Sequence, residues 1–191
     1  MTTLVLASRS PRRAEILREM GVSFVVDVAG VDESPLAGES PRDHVQRLAI
    51  AKCQAVAARH DCDTVVLAAD TTVDVDGEIF GTPLDLAHAR NMLLRLAGRT
   101  HLVHTAVCVM HGGLERPRCA LDSASVTMRH IAGPELEQYL QTGESLDKAG
   151  AYAVQGAAAM FVERVTGERS TVIGLPKPLV QQLLQPLGLL P

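Results

Sequence analysis

The stretch LASRSPRRAEIL, Leu6 to Leu17, sets Ser8, Ser10, Arg12 and Arg13 close together. Ser10 is placed to cap a helix and Pro11 to open it, so both arginines fall in its first turn. Cations there oppose the positive end of the helix dipole, by roughly 0.3–1 kcal/mol each when exposed. Free amides at a helix start, two guanidinium groups and the hydroxyls of Ser8 and Ser10 together make an oxyanion site. Phosphate is its natural occupant. The same arginines could instead be solvated, or paired with Glu15 or Asp32, because surface pairs are weak.

Three further places break local rules. Lys52 lies within an apolar stripe formed by Val45, Leu48, Ala49 and Val56. A lysine on such a face must snorkel to water or meet an anion. Asp70 follows the apolar run TVVLAA, at what reads as the carboxyl end of a buried strand, where open α/β sheets place ligand chemistry. There it could hold Mg²⁺ or orient a water, or simply cap a turn with Thr71 and Thr72. The segment DKAGAYAVQG, residues 147–156, has neither helical nor strand period. In it Gln155 offers a donor and an acceptor to a base edge, although a plain surface loop would read the same way. The histidines form no HxH or HExxH arrangement, which argues against zinc, and the chain has neither GxGxxG nor GxxxxGK[ST].

The elements that must position these groups alternate between β-branched runs and helical stretches, the pattern of α/β or α+β architecture. Strands are expected at residues 3–7, 24–28, 64–69, 102–110, 123–128, 159–165 and 170–173. Helices are expected at 11–20, 40–60, 85–96, 134–141 and 176–187. A hairpin is expected around Asp76–Gly77 in VDVDGEIF, and the HGG at 111–113 should turn between two strands. With neither repeat nor linker, residues 1–191 read as a single domain of ordinary size, able to bury roughly 70% of its unfolded surface.

Composition narrows the classes. Hydrophobic residues are 47% and aromatics 3%, with no tryptophan, so stacking platforms for single-stranded nucleic acid are not expected. The net charge of −4 argues against a duplex-binding surface. No apolar run reaches membrane-spanning length and no signal peptide is apparent. The four cysteines lack CxxC spacing, so they read as reduced structural thiols in a cytoplasmic protein.

Taken in order, LASRSPRRAEIL, DESP with Glu33, AKCQAV with Lys52, AADTTV with Asp70, LAGRTHLVHTAV and DKAGAYAVQG…VIGLP resemble the Maf family across almost the whole chain. YxxQG in the last motif resembles the branch that hydrolyses dTTP and UTP. The resemblance implies a mixed α/β fold with a twisted sheet, in two lobes around a deep cleft, related to inosine-triphosphate pyrophosphatases. It implies cleavage of nucleoside triphosphates to monophosphate and pyrophosphate with Mg²⁺ or Mn²⁺, in a homodimer, while the composition and apolar runs above lead to no expected nucleic-acid or membrane partner. Carried over by position, Ser8, Arg12, Arg13 and Lys52 would grip the triphosphate. Glu33 and Asp70 would hold the metal or activate water, either being chemically able to serve as base, and Gln155 would help select the nucleobase.

One departure stands out. Where the family usually has a lysine, in GKP after the hairpin, this chain has Thr82 in FGTPLD. A lost charge-assisted contact costs roughly 1.5–3 kcal/mol, so reduced activity or altered preference is expected, and nothing local to Thr82 offers a cation. Lys177 is a weak candidate for the missing charge. The rival readings are a weakly active or inactive nucleotide-binding regulator of cell division, and a pyrophosphatase for modified bases.

Overall fold

A computed structural model describes residues 3–111 and 116–191 of the chain. Seven strands form one mixed sheet. They are β1 (Thr3–Leu6), β2 (Val25–Val26), β3 (Thr64–Val75), β4 (Glu78–Phe80), β5 (Thr100–His111), β6 (Arg118–Met128) and β7 (Val162–Thr166). The order is β2-β1-β3-β5-β6-β7, with β4 also paired to β3. Strands β1 and β2, and β1 and β3, run parallel, while the remaining pairs are antiparallel. The helices are α1 (Pro11–Glu19), α2 (Pro41–Ala57), α3 (Leu86–Leu96), α4 (Gly133–Gln141), α5 (Arg169–Ile173) and α6 (Lys177–Leu184).

The long strand β3 organises the molecule. On one edge it pairs with β5 from Val65 to Asp74. On the other edge it pairs with β1 only as far as Leu67 and with β4 only from Val73. The intervening edge, around Asp70, is left to side chains. Strand periodicity then sorts the faces. Val65, Leu67 and Ala69 pack with Ile16 and Leu17 of α1 and with Val180 and Leu184 of α6. Val66 and Ala68 pack with Val45, Ala49, Cys53 and Val56 of α2. Past the open edge, Val73, Val75 and Phe80 join α3, α4 and the segment 151–161 in a separate apolar cluster. Each fully buried Leu, Val or Phe contributes about 1.5–3 kcal/mol, so the clusters fix both ends of β3 firmly.

Several expected elements need correction. Strand β3 does not end at Ala69 but runs on to Val75, so Asp70 lies within a strand and not at its end. Beside Asp70 the partner changes from β1 to β4, and that change leaves the edge there without a strand partner. Residues 170–173 are not a strand but the helix α5. Glu168 accepts from the Ser170 amide and Gly174 closes the turn at φ 115°, and these two caps outweigh the β-branched run between them. Residues 157–161 form a 3-10 turn, so β7 starts only at Val162. β2 is two residues long, because only Val5 and Leu6 of β1 meet it. Ser10 occupies the N-cap position of α1, but its side chain makes no capping bond. The Asp76–Gly77 hairpin forms as expected, both residues having positive φ. The expected HGG turn includes Gly112 and Gly113, which lie outside the described residues.

The reading of four reduced thiols is also corrected. Cys108 and Cys119 face each other across β5 and β6 and are joined in a disulfide. Register, which spacing alone does not reveal, brings the two sulfurs together. Cys53 and Cys62 are free. Cys53 is buried against Val66, and desolvation pushes its thiol up to about 12.

Candidate active site

All eight residues singled out from the sequence line one cleft of about 540 Å³: Ser8, Arg12, Arg13, Glu33, Lys52, Asp70, Thr82 and Gln155. They come from five separate parts of the chain: the turn into α1, the loop before α2, α2 itself, the open edge of β3 with its hairpin, and the 147–155 loop.

Lys52 occupies the apolar stripe of α2, and that stripe packs on the face of β3 that carries Val66, Ala68 and then Asp70. The buried lysine therefore meets an anion and does not snorkel. Its Nζ donates to Asp70 Oδ1 at 2.7 Å and pairs with Glu33 Oε1 at 2.8 Å. The two carboxylates differ sharply, the Asp70 side chain being 9% exposed and that of Glu33 59%. Burial raises the Asp70 pKa above the ordinary carboxylate value, with Lys52 and Arg13 pulling it partly back and Glu33 pushing it further up. Asp70 Oδ2 has no hydrogen-bond partner among the described residues.

The two arginines have different situations. Arg13 reaches the open edge of β3 and takes the place of a missing strand. Its Nη1 donates to Ala69 O at 2.8 Å and to Ser8 Oγ at 3.1 Å, Nη2 to Thr71 Oγ1 at 3.1 Å, and Nε to Gly174 O at 2.8 Å. A guanidinium has five N–H donors, so little of Arg13 is left for a ligand. Arg13 ties β3, Ser8 and the end of α5 together while still lining the cleft, with one N–H beyond these four bonds. Burial lowers its pKa, opposed chiefly by the nearby Asp70 charge. Arg12 has no hydrogen bond or ion pair among the described residues and faces the cleft with its full set of donors. Ser8 Oγ also accepts from the Ser10 amide at 3.2 Å, so one amide of the helix start is already used.

At the far side of the cleft, the 147–155 loop is held in a strained form. Gly150 and Ala151 both have positive φ, 67° and 64°, and for buried Ala151 that conformation is costly. Gly150 N–H donates to Gly81 O at 3.1 Å, docking the loop on the segment that carries Thr82. Gly156 passes so close to Glu144 that a Cβ there would sit 2.0 Å from its Oε1, and Glu144 Oε2 accepts from Ala157 N–H. These contacts present Gln155 at the cleft, with its amide unengaged among the described residues. Tyr152 also lines the cleft, its hydroxyl 2.6 Å from Nε2 of buried His101. Desolvation pushes His101 down to about 4, so it is neutral near pH 7.

Sequence reasoning missed Thr71 and Lys148, both of which line the cleft. Thr71 is found from strand period, lying on the opposite face to Asp70 and on the same face as Ala69. Lys148 gave no periodic signal. Lys177, the cation considered as a replacement at Thr82, does not line the cleft but pairs with Glu19 at 2.8 Å.

The chain matches the family model described as Maf-like protein over residues 3–187. It is 43% identical to a dTTP/UTP pyrophosphatase of Symbiobacterium thermophilum, over 98% of this chain and 95% of that protein. It is 44% identical to a dTTP/UTP pyrophosphatase of Myxococcus xanthus, over 98% of this chain and 94% of that one. Among solved structures, the Ham1 protein of Staphylococcus aureus is similar at a TM-score of 0.55. With 15% identity over 97% of this chain and 99% of the other, that likeness bears on the mixed α/β fold.

Proposed function

This chain belongs to the Maf family, and on that footing we propose that it hydrolyses dTTP and UTP to the nucleoside monophosphate and pyrophosphate. The observation that carries the reading is the Asp70–Lys52–Glu33 cluster at the open edge of β3, with Asp70 and Lys52 buried and Glu33 exposed, in the same cleft as Arg12, which makes no hydrogen bond or ion pair among the described residues. The names borne by the relatives support dTTP and UTP as substrates. They do not favour the inactive-regulator alternative.

Asp70 is the better general base of the two carboxylates. Its raised pKa brings it closer to neutrality, and a base is most effective near the working pH. Lys52 holds Oδ1 and thereby aims Oδ2 at the cleft. A water there gives its proton to Oδ2 as its oxygen attacks the α-phosphorus. The bond from that phosphorus to the α,β-bridging oxygen breaks, and pyrophosphate leaves with the electron pair. The ammonium of Lys52 and the guanidinium of Arg12 oppose the charge that accumulates on the phosphates. Gln155, with both amide functions free, faces the base edge, beside the Tyr152 ring.

Among the described residues no group of three or more His, Cys, Asp or Glu forms a ready-made metal site. Glu33 and Asp70 both pair with Lys52 Nζ and so lie close together, and two carboxylates completed by substrate oxygens are a donor set that would suit Mg²⁺ or Mn²⁺. Such an ion would neutralise phosphate charge and polarise the reacting phosphoryl group. A homodimer in the cytoplasm belongs to the same proposal. Among the described residues no helix is long and apolar enough to cross a membrane.

The test is pyrophosphate release from a panel of nucleoside triphosphates with Mg²⁺ or Mn²⁺, alongside Asp70→Asn. Turnover of dTTP and UTP that Asp70→Asn abolishes is the expected result. Saturable nucleotide binding to folded protein without turnover would reject hydrolysis.

A further inference from the structure

We propose that Lys148 is a phosphate-binding residue, supplying the cation at the Thr82 side of the cleft. The inference rests on the triphosphate reading above. Lys148 is only 9% exposed, yet it lines the cleft together with Thr82. Its Nζ donates to Glu144 O at 2.7 Å and to Asp147 Oδ1 at 2.5 Å. An ammonium has three N–H donors, so one is unclaimed by these partners. The Asp147 side chain is 70% exposed, and an ion pair with an exposed partner is weak, so a phosphate can compete for the ammonium.

Position singles this lysine out. The cleft is lined by five cations, Arg9, Arg12, Arg13, Lys52 and Lys148, and by three carboxylates, Glu33, Asp70 and Asp147. Arg9 and Arg12 belong to the α1 side, Lys52 stands at the open edge of β3 with Asp70 and Glu33, and Arg13 has four of its five N–H donors engaged by the fold. At the hairpin end of the same cleft, residue 82 is an uncharged threonine. The Gly150 to Gly81 hydrogen bond fastens the Lys148 loop to that end. Strained Ala151 and the Glu144 contact at Gly156 hold the loop in one shape, so the ammonium is placed before a ligand arrives.

The experiment compares wild type with Lys148→Gln, Lys148→Arg and the double variant Lys148→Gln/Thr82→Lys. It reads calorimetric binding of inorganic tripolyphosphate together with kcat and KM for dTTP. Glutamine keeps an N–H for the Glu144 carbonyl and removes only the charge. Lys148→Met serves if that variant does not fold, as judged by melting and near-UV circular dichroism. Lys148→Gln is expected to weaken tripolyphosphate binding about ten- to a hundredfold, while Lys148→Arg stays within about threefold of wild type. Thr82→Lys in the Lys148→Gln background should recover most of the loss, which a merely structural role for Lys148 would not permit. Unchanged binding by Lys148→Gln, or no recovery in the double variant, overturns the proposal. Wild type that turns over dTTP while Lys148→Gln matches it rejects Lys148 alone. Wild type that binds tripolyphosphate through Lys148 but hydrolyses no triphosphate rejects the pyrophosphatase reading alone. Wild type that binds no tripolyphosphate rejects both.

Discussion

Arg12 and Arg13 are adjacent in sequence and alike in chemistry, yet the fold gives them different roles. Arg13 ties the open edge of β3 to Ser8 and the end of α5 with four hydrogen bonds, whereas Arg12 makes no hydrogen bond or ion pair among the described residues. Replacement by alanine should separate them. Arg12→Ala should lower kcat/KM for dTTP about ten- to a hundredfold and leave the melting temperature nearly unchanged. Arg13→Ala strands acceptors on β3, Ser8 and α5, so it should cost on the order of 3 kcal/mol, or about 6–12 °C in Tm. Steady-state kinetics and calorimetry on both variants check this, and equal melting losses would contradict the assignment. The cationic pair was legible in SPRR. Which member faces the ligand was not, because both lie in one helical turn and only the packing of α1 on β3 distinguishes them.

At the level of elements, the loop that carries Glu33 depends on α2 for its position. Glu39 accepts from the Leu36 amide at 3.0 Å and from Arg47 of α2 at 2.6 and 2.8 Å, with His44 3.0 Å away. Arg47 Nη2 also donates to Ser34 O. These bonds, the Arg47 pair foremost, hold the Glu39 carboxyl down to about 2 from an ordinary value of 4.5. Because the folded pKa is depressed, the stabilisation is complete above pH 4.5 and is lost as pH falls towards 2. Glu39→Gln should therefore lower Tm at pH 7 but converge with wild type near pH 2. It should also raise KM for dTTP by loosening Glu33, and melting curves across this range with kinetics at pH 7 provide the check. The capped start of α2 at Ser40–Pro41 was visible in the sequence. The clamp was not, because Glu39 and Arg47 lie eight positions apart across a loop–helix boundary.

Over the whole molecule, the cleft lies where β3 changes partners, between the two clusters that hold α1 with α6 and α2 on opposite faces and the cluster of α3 and α4. Buried His101 lies beside Tyr152 of the α3–α4 cluster and contacts the cleft through it. Its pKa falls from 6.5 to about 4 on burial, so the unfolded chain binds the proton more tightly. Stability should then drop by roughly 1.4 kcal/mol per pH unit below 6.5 until about pH 4, where the loss levels off. His101→Gln should flatten that part of the Tm-versus-pH profile, and an unchanged slope would show that other groups set it. By itself, the sequence determined the residue chemistry, the hairpin, most helix starts and eight of the residues that line the cleft, because each follows from a local signal or a motif. Tertiary structure decided that Asp70 sits inside a strand, that residues 170–173 are helical, that Cys108 and Cys119 are bonded and that Lys148 enters the cleft. Strand register, competing caps and the docking of distant loops settle those points, and they depend on groups far apart in the chain.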